Sequence, residues 1–119
     1  MSDFRPMDMA VGGQGAPLAP YLHYALFHQS GLHRGVQNIG GIGNLTLLKK
    51  GDTLSNVIAF DTGPGNVLMD TLVYMMTQGK QAFDKDGKWA QCGKVDVHVL
   101  NRLLSHPFLR QRPPKSTGR

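Results

Sequence analysis

Residues 61–66 read Asp61-Thr62-Gly63-Pro64-Gly65-Asn66, set between a short apolar run, Val57-Ile58-Ala59-Phe60, and a second apolar run with helical spacing. The branched and aromatic residues before the motif favour a strand. Two glycines and a proline within it forbid a helix there and favour an abrupt turn. The spacing therefore predicts a strand that ends at Phe60, an acid at the strand's end, a glycine loop, and a helix. An acid in that position, followed by glycines that let backbone N–H groups crowd a ligand, is where phosphoryl-transfer folds place a base or a metal ligand. Asp61 is accordingly the first candidate for chemistry. Its bland alternative is a carboxylate that caps the amides of Gly63 or Asn66.

A second glycine segment lies upstream, Asn38-Ile39-Gly40-Gly41-Ile42-Gly43-Asn44, flanked by Val36 and by Leu45-Thr46-Leu47-Leu48. It reads as strand, tight glycine turn, strand, with no side chain at the turn to keep a phosphate away. The alternative is an ordinary hairpin whose glycines only supply positive φ.

These segments order the rest of the chain. Pro20 opens a helix over about 19–28, with Tyr21, Leu22, Ala25 and Leu26 on one stripe. Gln29-Ser30-Gly31 breaks it. Three short strands follow, Val36 to Ile39, Leu45 to Lys49 and Val57 to Phe60, and their short connections imply an antiparallel meander. Asn66 then stands as an N-cap for a helix carrying Val67, Leu68, Thr71, Leu72, Met75 and Met76 on one face, ended by Gly79. Val95, Val99, Leu100, Leu103 and Leu104 describe a last helix that Pro107 stops. Periodicity alone yields a mixed α/β domain, with sheet first and helices after.

Composition excludes several alternatives. The net charge of +5 would raise nucleic acid as a partner. No aromatic residues interleave with the basic ones to stack bases, so the charge reads as a solvated face and a basic tail. The single cysteine, Cys92, excludes an internal disulfide and reads as a small buried or half-buried thiol. The five histidines show no zinc spacing, and His23 alone follows a segment that places it near a site. Asp84-Lys85-Asp86-Gly87 superficially matches a calcium loop but lacks the later acidic ligands, which leaves a surface turn. No nucleophile elbow supports a hydrolase. No apolar run approaches the roughly 18 residues of a membrane span and no signal peptide is visible, so the expected location is the cytoplasm, without a membrane partner.

One further stretch, Asp3-Phe4-Arg5-Pro6-Met7-Asp8-Met9-Ala10-Val11-Gly12-Gly13-Gln14-Gly15-Ala16-Pro17-Leu18, precedes the first helix. Together with the two glycine motifs, with Phe83-Asp84-Lys85-Asp86-Gly87-Lys88-Trp89-Ala90 and with Pro113-Pro114-Lys115-Ser116-Thr117-Gly118-Arg119, it resembles the anhydro-N-acetylmuramic acid kinases over nearly the whole chain.

The resemblance implies a piece of an actin-like, sugar-kinase (ribonuclease H-like) α/β fold: an antiparallel strand meander followed by helices. Residues 1–34 would be a substrate-site loop and helix from the end of a first lobe, and residues 35–119 the start of a second. The implied reaction opens the anhydro ring of 1,6-anhydro-N-acetylmuramic acid with water and phosphorylates O6 from ATP with Mg2+, in peptidoglycan recycling. Asp61 resembles the catalytic aspartate of the family's Asp-Thr-Gly-Pro motif, with Asp8 as runner-up. On the sugar side stand Asp3, Arg5, Asp8, Gln14 and Asn38. Arg5 suits a bidentate pair with the lactyl carboxylate, although Asp3 and Arg5 equally suit an ion pair fixing their own loop. Gly40, Gly41 and Gly63 fall on the phosphate side.

Relatives are considerably longer and carry a phosphate loop and a glycine-rich adenosine site that these residues lack. The chain is thus expected to be a central fragment with incomplete nucleotide and metal sites, inactive alone and exposing an apolar face, from a protein that is a homodimer at full length. A non-catalytic remnant or a sugar-binding module is the alternative.

Overall fold

The computed structural model describes residue 10 and residues 19–117. Helix α1 spans Ala19–Phe27, with Pro20 in its first turn, where a missing N–H costs nothing. Strands β1 (Arg34–Ile39), β2 (Ile42–Leu48) and β3 (Ile58–Pro64) form one sheet in the order β1-β2-β3, the expected antiparallel meander. Helix α2 (Val67–Met76) follows, then short helix α3 (Lys88–Cys92), helix α4 (Val97–Leu104) and short helix α5 (Pro107–Arg110). Sheet first and helices after is the order that the sequence pattern gives. Among the described residues no helix is long and apolar enough to cross a membrane.

The chain divides into two compact units, and each strand contributes to both. Among the described residues the first comprises residue 10 and residues 19–37 and 45–60. Its centre is β2, where Thr46 and Leu48 alternate inward and Leu48 is only 1 % exposed. Helix α1 is tied there by His23 Nδ1, 2.8 Å from the Thr46 hydroxyl, and by the Tyr24 hydroxyl, which donates to the Asp52 carbonyl at 3.2 Å. His23, which the sequence places near a site, is therefore spent on a buried threonine of its own unit.

The second unit comprises residues 38–44 and 61–119. It holds both glycine motifs and helices α2 to α5. Helix α2 buries Val73, 6 % exposed, but leaves Leu72 and Met75 at 59 % and 67 %. The expected apolar face is thus present and uncovered among the described residues. Gly79 ends α2 at φ +81°, donating its amide to the Tyr74 carbonyl at 2.8 Å, a conformation in which a Cβ is strained.

Four local expectations change. Asn66 sits at the N-cap of α2, yet its side chain makes no cap bond and donates instead to Asp70 at 2.7 Å. The last helix begins at Val97, not Val95, because the Asp96 carboxylate accepts from the amides of His98 and Val99 at 2.9 and 3.1 Å. Pro107 both stops that helix and opens α5, with His106 Nδ1 accepting from the Phe108 amide. Cys92 is exposed and unpaired rather than buried. Asp84 and Asp86 lie in a surface turn as read, and the Asp84 carboxylate accepts the amides of Trp89 and Ala90, each at 2.9 Å.

Candidate functional site

Strand β3 does not end at Phe60. It runs through Asp61-Thr62-Gly63 to Pro64, so Asp61 stands inside a strand rather than at the mouth of a loop. The reason is its neighbour in the sheet: β2 begins at Ile42 rather than at the expected Leu45, so the antiparallel pair continues past Phe60. β3 is an edge of the sheet, and its Asp61 amide donates to the Lys115 carbonyl at 2.9 Å. Pro64, without an N–H, closes the strand.

The Asp61 carboxylate is engaged by the same distant segment. Its Oδ2 accepts the Thr117 amide at 2.8 Å, the Ser116 hydroxyl at 3.0 Å and the Thr117 hydroxyl at 3.2 Å. Partial burial pushes this carboxyl up, but the three donors outweigh that, the Thr117 amide foremost, and hold it below the usual aspartate value. The group is therefore ionised throughout the neutral range. A carboxylate capping Gly63 or Asn66 is not what forms: the partners of Asp61 are Ser116 and Thr117, 55 and 56 positions away in sequence.

Lys115 fixes the clipped segment at its other end. Its Nζ donates to the Phe108 carbonyl at 2.9 Å and lies 4.5 Å from the centre of the Phe108 ring. A cavity of about 440 Å³ opens beside the clip, lined by Pro64, Leu68, Leu103, Phe108, Leu109 and Thr117 among others. Its walls are predominantly apolar.

The two glycine motifs meet through backbone alone. The amides of Gly65 and Val67 donate to the Gly41 carbonyl at 2.9 and 3.3 Å, and the Asn66 amide donates to the Gly40 carbonyl at 2.9 Å. The first amide of α2 and the two that precede it, none of which has a partner within the helix, are thus satisfied by the hairpin turn. Gly65 must be glycine for this, since a Cβ there would drive into the Gly40 carbonyl oxygen. Gly63 also has a local reason: its φ is +140°, and a Cβ would lie 3.4 Å from Leu109 Cδ2.

Gly40 and Gly41 have no such reason. Neither has a φ in the left-handed region, and a Cβ would find nothing closer than 3.9 Å at Gly40 or 4.0 Å at Gly41. The reading in which these glycines merely supply positive φ fails at both. Asn38 lies in β1, two residues before the turn, in the same unit as Gly40, Gly41, Gly63 and Asp61. Asp3, Arg5, Asp8 and Gln14 lie outside the described residues. Ser116 and Thr117, the nearest partners of Asp61, carry no local signal of that role; only their place in a motif shared with a known family marked them.

The sequence profile of the family described as anhydro-N-acetylmuramic acid kinase matches residues 1–119. A protein of that name from Caldanaerobacter subterraneus is 52% identical over 119 residues, which is 100% of this chain and 30% of the relative. Those from Pseudomonas syringae pv. tomato and Clostridioides difficile are 50% and 46% identical, again over 100% of this chain and 31% and 30% of their own lengths. The chain spans about 30% of the length of these curated relatives.

Proposed function

The chain belongs to the anhydro-N-acetylmuramic acid kinase family, and we propose that the protein carrying it uses these residues to open 1,6-anhydro-N-acetylmuramic acid with water and to phosphorylate the freed oxygen from ATP. The observation that carries this reading is the pair Gly40-Gly41: two adjacent glycines required neither by φ nor by packing, beside a strand that bears an ionised aspartate. Open space over a bare backbone is what an approaching phosphate needs.

In this mechanism Asp61 is the base. A water oxygen bonds to C1 of the sugar as the C1–O6 bond breaks, and the water's proton passes to Asp61. O6 then attacks the γ-phosphorus in line, and ADP leaves. Three donors on Oδ2 leave Oδ1 as the oxygen that takes the proton. The lowered carboxyl value keeps the group in its basic, proton-accepting form at neutral pH.

Around that centre the reading assigns Asp3, Arg5, Asp8, Gln14 and Asn38 to the sugar, and Gly40, Gly41 and Gly63 to the nucleotide phosphates. The lobes divide near residue 35. The pathway is peptidoglycan recycling in the cytoplasm, and the full-length form is a homodimer. Mg2+ accompanies ATP in reactions of this class, yet among the described residues no group of three or more His, Cys, Asp or Glu side chains is placed to hold a metal ion. Asp61, with Oδ2 occupied, does not make such a site by itself. A non-catalytic sugar-binding module is the second reading, and it lacks an explanation for the bare Gly40-Gly41 turn.

The hairpin supplies the test. Gly41→Ala adds a methyl that meets Val67 Cβ at an ordinary 4.0 Å, so the variant folds. Its KM for ATP, measured in the full-length protein, rises by roughly tenfold or more, about 1.4 kcal/mol of lost nucleotide binding, while the KM for the sugar stays near wild type. Unchanged ATP kinetics in the folded variant would make the turn purely structural.

A further inference from the structure

The segment Lys115-Ser116-Thr117 has no part in the reaction as described so far, yet it makes four hydrogen bonds to a single residue, Asp61. One is the backbone pair between the Asp61 amide and the Lys115 carbonyl; the other three converge on Oδ2. We propose that Ser116 and Thr117 are positioning residues for Asp61, holding one carboxylate oxygen so that the carboxylate cannot rotate and Oδ1 alone faces the reacting water. This inference rests on the reading of Asp61 as the base.

A carboxylate at a strand edge rotates freely about Cβ–Cγ unless donors fix it, and a base held at random angles loses the oriented proton transfer on which its rate depends. Here three donors from two consecutive residues reach one oxygen at 2.8–3.2 Å, which removes that freedom. Lys115 anchors the donors from behind, with Nζ on the carbonyls of Phe108 and Leu109 and over the Phe108 ring. A purely structural clasp for the edge of β3 would be complete with the backbone pair.

The same donors set the protonation of the base. They pull Asp61 down against the upward push of burial, and among the described residues no charged side chain adds to that pull. The cation on the clipped segment, Lys115, is directed to the Phe108 and Leu109 carbonyls, and His106 on the adjoining turn receives the Phe108 amide.

The experiment uses the full-length protein carrying this chain. In Ser116→Ala/Thr117→Val the backbone amide of Thr117 remains but both hydroxyl donors to Oδ2 are gone. The kcat falls roughly tenfold or more with both KM values within about threefold, and the acidic limb of the kcat profile moves to higher pH. Thr117→Ser, which keeps a hydroxyl and the amide, restores the limb. Should the double variant fail to fold, Ser116→Ala alone shifts the limb in the same direction by a smaller amount, because its hydroxyl leaves an exposed position. A folded variant with lowered thermal stability but an unmoved limb and wild-type kcat overturns the proposal. Asp61→Asn separates the two claims: if it too retains the wild-type rate, the base reading has failed; if it is inactive while the hydroxyl variants are normal, only the positioning role has.

Discussion

Asp61→Asn, introduced into the full-length protein, lowers kcat by roughly 10² to 10⁴ while sugar affinity stays within a few fold of wild type. Asparagine is nearly isosteric and keeps a carbonyl oxygen where Oδ2 now accepts the Thr117 amide and the two hydroxyls, so the clip to residues 116 and 117 persists. What is lost is the anion able to take a proton. The variant therefore separates chemistry from architecture, which deletion of the whole side chain would not. Its readout is steady-state kinetics together with a thermal melt. A folded variant that retains more than a tenth of the wild-type rate shifts the base to Asp8.

Gly65→Ala gives the largest effect on stability, about 2–4 kcal/mol, because a Cβ at this position drives into the backbone carbonyl of Gly40 and backbone cannot swing aside as a side chain can. Relieving the clash separates the hairpin from the start of α2 and strips the Gly65, Asn66 and Val67 amides of their carbonyl partners. The control is Gly40→Ala, whose methyl has nothing within 3.9 Å and whose φ tolerates it, so its cost stays below about 1 kcal/mol. Urea unfolding of the two variants beside wild type measures the difference. Equal midpoints for the two would mean that the turn and the helix start are not locked together.

The elements that could be read in the sequence are those whose cause is local. Pro20, the β-branched runs and the spacing of Val67 to Met76 each act on their own neighbourhood, and α1, the three strands and α2 formed there, although β2 begins at Ile42 rather than Leu45 and β3 runs on to Pro64. The features that escaped have distant causes. β3 passes through Asp61 because β2, its partner in the sheet, begins at Ile42, and the Asp61 amide meets the Lys115 carbonyl; nothing within residues 57–66 encodes either partner. Asn66 has the residue type of a cap, yet the Gly40 and Gly41 carbonyls already satisfy the helix start and its side chain turns to Asp70.

Glycine shows the same division. In sequence Gly40, Gly41, Gly63 and Gly65 look alike; in the structure Gly63 answers a dihedral, Gly65 answers a carbonyl, and the remaining pair answers neither. A sequence names the positions where a side chain is missing, but only coordinates say what it would have met. Asp61 was legible as a candidate from its motif, whereas the donors that orient it were not, since exposed hydroxyl side chains are common and usually serve water.

The proposed reaction joins hydration to phosphorylation at one sugar, and isotope placement tests that union most directly. The full-length protein is incubated with 1,6-anhydro-N-acetylmuramic acid, ATP and Mg2+ in ¹⁸O-labelled water, and the product is examined by mass spectrometry alongside ADP release. The account predicts one label at C1 and one phosphate on O6 for each ADP formed, both lost together in Asp61→Asn. ADP formed without consumption of the sugar, or a phosphorylated sugar whose anhydro ring is intact and unlabelled, would contradict it.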